Sequence, residues 1–536
     1  MNQLGGFPLL TLIVFLPLLG AAISLFLPSN RQETMHWLAF LIAATTFFIS
    51  LFLYMGWVED PMGVPQFMDG PWPWIAGLGI YYHLAVDGIN LHLVLLVTLL
   101  IPMVVLTRWM QDTDPANTKA NTFWTLLFQG GMLGALTAFD LVLFWVFWLI
   151  VLISSFFLIA ENGARRQTAI RFAIGIAIAA TAVGAVTIGL SAFSPNFDLA
   201  GLSLTSFPWP TQAWLFWGMA AALGITGGIL PLHYPLAQVF HSLPSPYSVG
   251  KNKKKRQEPQ PAQLLIYSLL ANLGGYGLIR FCVYLFPLAA ERFAPAMAIW
   301  GTIGTLYGAL AALGQDTLYG TLAYWNIAHV GLTVIGISSL ENVGVHGAVM
   351  HMLGRSLGTT VLVLLASAWK DQQQAPTSSR ADRAALALGF LSLFGVPGLV
   401  GFIGQGTLVL GLVHWQISES TVLNGIWYGL LAMGLLLGMW ALLRAWQRAW
   451  PSSGVSKLDR GTISPPTRQV AIALPILCLI LVLGLYPSPA LDAVGPTVHR
   501  LLGEIKLGIT RDMAPPELLP MPIEIEPVPF TGAAER

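Results

Sequence analysis

The sequence predicts an all-α integral membrane protein with about fourteen transmembrane helices. Of its 536 residues, 55% are hydrophobic and only 10% are charged, whereas about a quarter of the residues in a soluble domain are charged. Apolar segments long enough to cross the hydrocarbon core of a bilayer follow one another along most of the chain. Lys and Arg residues concentrate in alternate connections between these segments, and that bias sets the orientation of a membrane protein.

The predicted spans leave one long outer connection and one polar tail. The connection at 57–80 is rich in aromatic residues, which suits the membrane interface. The tail after Asp512 is rich in Pro and Glu and is expected to be extended. In chain order, the apolar segments lie at residues 7–27, 36–56, 88–107, 121–138, 140–160, 168–194, 212–240, 262–286, 293–313, 317–340, 345–368, 383–411, 424–446 and 468–487.

The positions of the basic residues predict that both termini lie on the non-cytoplasmic side. With the amino terminus outside, the opposite set of connections contains few cations: Arg292, with Arg280 near a helix end, and Arg500, Lys506 and Arg511 in the tail. The cytoplasmic connections then contain most of the Lys and Arg residues, as the positive-inside rule requires. These are Arg31, Arg108, Lys119, Arg165, Arg166, Lys251, Lys253, Lys254, Lys255, Arg256, Lys370, Arg380, Arg383, Arg448, Lys457, Arg460 and Arg468.

Two of the predicted spans contain residues that interrupt a helix. The seventh carries Pro231 and Pro235, with His233 between them, and the twelfth carries the glycine-rich stretch 395–404. Proline removes a backbone donor and crowds the preceding turn. Irregular backbone at membrane depth is tolerated only inside protein or beside a wet cavity. Each break alone is compatible with a packing kink, but two at matching places predict an internal repeat with a transport pathway.

Several ionisable side chains lie within the predicted spans, where each costs free energy unless it is paired or hydrated. His351 and Arg355 share a helix face because they are four residues apart. His329 is compatible with a neutral core residue, and Arg171 can extend its side chain back to the cytoplasmic face. We predict a hydrated polar path, whose candidate residues are His233, His329, His346, His351, Arg355, Arg171 and Asp140.

Six motifs give the chain a family resemblance. They are Tyr82–Asn90, Asp140–Phe147, Leu230–His233, Gly275–Phe281, Ala323–Gly331 and Phe390–Phe402. Together they resemble the antiporter-like subunits of complex I, and among these the chain 4, or subunit M, type. The resemblance implies two inverted five-helix repeats with broken seventh and twelfth helices, and a role in proton translocation driven by quinone reduction.

The resemblance also implies a domain organisation and an assembly. Residues 1–120 would hold three helices and the outer loop, 121–286 and 287–447 the two repeats, and 448–536 the last transmembrane helix and a Pro-rich tail. The partners implied are other membrane and peripheral subunits, in a bacterial inner membrane or a thylakoid membrane. NAD(P)H or another donor, iron–sulfur clusters and quinone would act in that complex and not in this chain.

The chain departs from the family at the positions that normally carry charge. The glutamate of the fifth helix falls on Leu149, the lysine before the seventh-helix break on Thr226, the lysine of the eighth helix on Asn272, and the glutamate after the twelfth-helix break on Gln405. A histidine usual in the eleventh helix corresponds to Arg355. Because none of the four titrates in the useful range, we expect the standard proton relay to be absent.

Other function classes are excluded or left open by the composition. The net charge of +1 does not indicate a basic surface that would bind nucleic acid. The two cysteines, Cys282 and Cys478, do not have the spacing of a disulfide framework or of a metal site. No nucleotide fingerprint is present, so the chain alone performs no redox chemistry. The basic loop 251–256 is either a solvated turn or a contact for lipid headgroups or a partner. Two alternatives to an oxidoreductase subunit remain: a subunit of a multi-chain cation/proton antiporter, and a proton-silent scaffold in a complex for inorganic-carbon uptake.

Overall fold

Seventeen helices and one β-hairpin make up the part of the chain that the computed structural model describes. The described residues are 8–58, 60–109, 115–160, 166–233, 261–367, 380–413, 415–449 and 468–513. Pro235 and the basic loop 251–256, both singled out in the sequence, lie outside these ranges, as does the tail beyond 513.

The elements follow the predicted spans closely. In chain order they are α1 Leu9–Phe26, α2 Gln32–Met55, β1 Phe67–Ile75, β2 Ile80–Val86, α3 Gly88–Trp109, α4 Pro115–Thr137, α5 Leu141–Ala160, α6 Arg166–Ser191, α7 Leu199–Leu204, α8 Trp209–Gly227, α9 Pro261–Gly277 with a π-helical turn Leu278–Val283, α10 Pro287–Leu313, α11 Leu318–Ser338, α12 Asn342–Ala366, α13 Arg380–Phe394, α14 Val400–Leu412, α15 Thr421–Ala449, α16 Arg468–Leu485 and α17 Ser488–Met513.

Eleven of the described helices are by themselves long and apolar enough to cross a membrane. The three remaining predicted spans correspond to α4, to α8 and to the pair α13 and α14. These are less apolar or are interrupted, and they pack between the other helices. The predicted class, an all-α integral membrane protein with broken seventh and twelfth spans, is confirmed.

Both breaks begin at a glycine with a left-handed backbone. Gly228, with φ of +74°, ends α8, so the interruption starts three residues before Pro231. In the twelfth span α13 ends at Phe394, and Gly395 and Gly398 have φ values of +71° and +88° before α14 begins. Only glycine adopts these angles without a steric penalty. The sequence located both breaks, but glycine and not proline sets where the first one starts.

Two elements were not expected from the sequence. The aromatic outer connection contains the antiparallel hairpin β1–β2, whose register shifts at two places. After the last span, α17 is an amphipathic helix whose buried residues Ala490, Val494, Val498 and Leu501 recur at helical spacing. It packs on α3, α10 and α12. Arg500 Nε of α17 donates a hydrogen bond to the backbone oxygen of Gly63, so this helix and the outer loop lie on the same face.

Three helices form the centre of the bundle. The membrane-crossing parts of α9, α11 and α12 are completely buried, whereas about a third of the corresponding part is buried in α15 and α16. In a bilayer, the exposed side chains of the outer helices face lipid and the three central helices face only protein. Polar groups inside the bundle are therefore expected on α9, α11 and α12, where protein partners are available.

Candidate functional site

Arg355 of α12 joins the three central helices through hydrogen bonds. Its Nη1 donates to Oδ1 of Asn326 on α11 at 2.8 Å, and its Nη2 donates to Oδ1 of Asn272 on α9. The three side chains are all at most 2% exposed. A guanidinium group can do this because it presents several N–H donors in a fixed planar fork.

The two amides are held so that their oxygens face the arginine. Asn272 Nδ2 donates to Ser356 Oγ at 2.8 Å, and Ser268 Oγ donates to the same oxygen at 3.1 Å. Asn326 Nδ2 donates to the backbone oxygen of Leu322. The positive charge of Arg355 is thus solvated by neutral dipoles. Among the salt bridges of the described residues, none includes Arg355.

Next to this network lie two histidines that face each other. His329 Nδ1 on α11 and His351 Nε2 on α12 are 3.2 Å apart and share one hydrogen bond. The ring of His329 stacks on Trp325 with a centroid distance of 3.7 Å. Nδ1 of His351 is buried without a hydrogen-bond partner. The structure therefore brings together three of the predicted path residues, His329, His351 and Arg355.

The other candidate residues lie elsewhere. His233, in the turn after α8, contacts the hydroxyl of Tyr307 on α10 through Nε2 at 3.2 Å. His346 lies in the first turns of α12, at the end of that helix that contacts α17. Arg171 is exposed near the start of α6, where its side chain can reach the membrane surface.

Asp140 is completely buried between α4 and α5 and acts as a helix cap. Its Oδ1 accepts hydrogen bonds from the backbone N–H groups of Val142 and Leu143 at 2.9 and 3.0 Å. Its Oδ2 accepts one from Tyr81 of β2 at 3.1 Å. Burial raises the pKa of Asp140 to about 6, Asp198 adds to that rise, and the three N–H donors oppose it. The same contacts anchor the hairpin to α5.

This raised pKa predicts a pH dependence of stability. The folded chain binds a proton on Asp140 more tightly than the unfolded chain does, so the resulting stabilisation is present below about pH 4 and is lost as pH rises through about 6. We expect Asp140→Asn to reduce the loss of thermal stability between pH 5 and pH 8, because the amide keeps the cap acceptor without the charge. The test is the melting temperature of the purified chain against pH. An identical pH profile for wild type and variant would contradict it.

The structure describes all four positions where the family resemblance predicts a charge that this chain lacks. Thr226 is buried on α8, where its hydroxyl donates to the backbone oxygen of Ala222. Gln405 of α14 donates from Nε2 to the backbone oxygen of Leu393. Leu149 lies on α5, and Asn272 is the partner of Arg355 described above. Each of the three polar side chains forms at least one hydrogen bond, and none carries a charge.

The sequence reading missed the ion pair between Arg280 and Asp87. Both side chains are at most 2% exposed, and Nη2 of Arg280 donates to Oδ2 of Asp87. Oδ1 of Asp87 accepts from the backbone N–H groups of Ile89 and Asn90, so it also caps α3. Arg280 further lies over the ring of Phe139. Both residues belong to motifs that carry the family resemblance, and this membership was the only feature of the sequence that could have pointed to the pair.

The chain is similar in sequence to known proteins along most of its length. A family profile described as "NADH:quinone oxidoreductase/Mrp antiporter, TM" matches residues 253–427. The chain is 30% identical over 448 residues to an NAD(P)H-quinone oxidoreductase chain 4 of Picosynechococcus sp., covering 80% of this chain and 77% of that protein. It is 29% identical to a chain 4 of Synechococcus sp., covering 98% and 99% of the two chains.

Solved structures share the fold. A chain of respiratory complex I from Thermus thermophilus superposes with a TM-score of 0.76 at 22% identity, covering 92% of this chain and all of that one. A chain of an archaeal membrane-bound sulfane sulfur reductase gives a TM-score of 0.76 at 17% identity, covering 94% and 99%. A chain of the Mrp complex from Dietzia sp. gives 0.73 at 17% identity, with 55% of that chain covered.

Proposed function

Since this chain belongs to the chain 4 family of NAD(P)H-quinone oxidoreductases, we propose that it is a membrane-arm subunit of a complex I-like assembly whose own core moves no proton. The observation that carries the second half of this proposal is the bonding of Arg355 to Asn272 and Asn326. NAD(P)H or another donor, iron–sulfur clusters and quinone would act in neighbouring subunits. The likeness to the Mrp chain concerns the fold and does not favour the antiporter alternative.

A fixed cation at this position opposes proton transfer through the bundle. A guanidinium keeps its proton across the biological pH range, so Arg355 cannot take part in a relay. A second positive charge about 6 Å away, at an effective dielectric constant of about 20, is repelled by about 3 kcal/mol. That energy lowers the local proton population by roughly a hundredfold. Asn272, at the position of the family lysine, offers no group that could accept the proton instead.

The histidine pair is the remaining route for a proton. An imidazole has an unperturbed pKa of about 6.5 and can carry a proton in either direction. His329 and His351 are in contact, but the fixed charge of Arg355 lies on the same helix face as His351, four residues away. We therefore propose that both imidazoles stay neutral and that their contact is structural.

Substituting both histidines with glutamine tests this proposal. Glutamine preserves a polar amide at each position, so the assembled complex is expected to reduce quinone at an unchanged rate and to move the same number of protons per electron pair. The measurement is the proton-to-electron ratio in sealed vesicles. A ratio that falls in the double variant, while Asn326→Gln as a control in the same network leaves it unchanged, would show that the histidines carry protons.

A further inference from the structure

A cavity of about 290 Å³ lies beside His329, between α11, α14 and α15. Its inner end is formed by His329 and Gln405, and its walls include the aromatic rings of Trp325, Phe394 and Phe402. A cavity of about 150 Å³ with apolar walls is large enough to hold benzene. This one has room for a substituted six-membered ring.

The cavity opens on the apolar outer surface of the bundle. Leu436 and Met439 of α15, which line it, are 67% and 47% exposed, and Val409 of α14 is 40% exposed. All three lie on helices that face the bilayer. A molecule that enters here must therefore come from the hydrocarbon phase.

Two hydrogen-bonding atoms at the inner end are not used by the protein. His329 bonds to His351 through Nδ1, and its Nε2 has no hydrogen-bond partner among the described residues. Gln405 uses its Nε2 on the backbone oxygen of Leu393, and its Oε1 likewise has no partner there. Only 6% of the surface of His329 is exposed. Both residues line the cavity, so these two atoms are available to hydrogen-bond an oxygen-bearing molecule inside it.

The depth of the site restricts the chemistry of that ligand. His329 lies near the middle of α11, which runs from Leu318 to Ser338, so at 1.5 Å per residue it is roughly 15 Å from either end. A phospholipid headgroup is charged and stays at the interface, because a charge at the bilayer centre is costly. A small neutral ring with carbonyl or hydroxyl groups and a long apolar tail can reach this depth.

We propose that this cavity binds the head group of a membrane-dissolved quinone or quinol, with its tail in the lipid beside α15. One ring oxygen bonds to Nε2 of His329, and a quinol hydroxyl donates to Oε1 of Gln405. The aromatic side chains that line the cavity stack on the quinone ring, because aromatic rings prefer offset-stacked or edge-to-face contacts. The proposal concerns binding alone and includes no electron transfer, so it stands independently of whether the subunit moves protons.

Gly406 offers a variant that fills the cavity without disturbing the fold. It lines the cavity, and a Cβ added there meets only the ring of Phe402 at 3.8 Å, an ordinary contact. Gly406→Leu should therefore occupy the ligand space. The matched control is Gly429→Leu on α15, where an added Cβ meets nothing within 4 Å and which does not line the cavity.

The test uses the assembled complex in lipid nanodiscs and a decyl-benzoquinone that carries a photoreactive azide. Peptides of α11 and α14 are examined for the label by mass spectrometry after illumination. We expect labelling in wild type and Gly429→Leu, a loss of at least about tenfold in Gly406→Leu, and about a fivefold weaker apparent affinity in Gln405→Leu. Co-purification of the other subunits of the complex with Gly406→Leu verifies its assembly.

Competition separates a quinone from a lipid chain. Excess unlabelled decyl-benzoquinone should abolish the labelling, whereas decylbenzene, which lacks the ring oxygens, should not. Equal competition by decylbenzene, or labelling that Gly406→Leu leaves intact, would overturn the proposal. Absence of label on α11 and α14 in the wild-type complex would also overturn it.

Discussion

Replacing Arg280 with alanine is expected to destabilise the chain by about 3–5 kcal/mol, because it leaves the carboxylate of Asp87 buried without its partner. The pair connects the π-helical turn after α9 to the start of α3. Losing it also weakens the cap that Asp87 provides to α3. The expected results are a lower melting temperature of the purified chain and less chain assembled in the membrane.

The double variant Arg280→Met with Asp87→Asn is the control for this prediction. Asparagine retains the oxygen that caps α3 but has no charge, and methionine fills part of the space of the arginine. Replacing both members of a buried ion pair with neutral groups is often tolerated, so most of the lost stability should return. If the double variant is as unstable as Arg280→Ala, the packing of Arg280 over Phe139 matters and the charge does not.

Rebuilding the family relay is expected to add a full proton to the yield per electron pair. The variant combines Leu149→Glu, Thr226→Lys, Asn272→Lys, Gln405→Glu and Arg355→His. A buried lysine can take up and release a proton when a nearby carboxylate approaches or leaves, because its pKa moves by several units. The measurement is the proton-to-electron ratio of the assembled complex in sealed vesicles.

The informative control retains Arg355 while the other four positions are changed. Its guanidinium then remains next to the new lysine at position 272, since Nη2 of Arg355 contacts that position in the present structure. Like charges this close disfavour protonation of the lysine, so the yield should stay at the wild-type value. A gain that does not depend on position 355 would show that Arg355 is no barrier. A wild-type yield already equal to that of the rebuilt complex would mean that the charge losses were misread.

The spans and the breaks were predictable because they depend on local features. A run of about twenty apolar residues is visible in any window, and Gly395 and Pro231 interrupt such runs. The helix α17 was missed because its apolar residues occupy one face only, so no window is apolar enough to span. The hairpin was missed because Pro71 and Pro73 and two register shifts hide the alternation of a strand.

Part of the candidate site was predictable, because some of its residues are also conspicuous as local features of the sequence. His329, His351 and Arg355 are conspicuous because a titratable group is costly within a span. Asn326 was overlooked, since an uncharged amide within an apolar span carries no such signal, yet it is one of the two anchors of Arg355. The partner of Arg280 lies 193 residues away in the chain, and no spacing rule connects residues so far apart.

The complete burial of the central helices bears on how the chain enters the bilayer during synthesis. The mean hydropathy of the crossing part is 1.2 for α11 and 1.3 for α9, against 2.5 for α1. A nascent segment that carries Asn326 and His329 gains little from contact with acyl chains, because its polar groups are satisfied only by neighbouring helices. α9 and α11 would therefore leave the translocon together with, or after, the more apolar helices that enclose them. Integration of this chain is then a cooperative event, in which early spans prepare a protein-lined place for later ones.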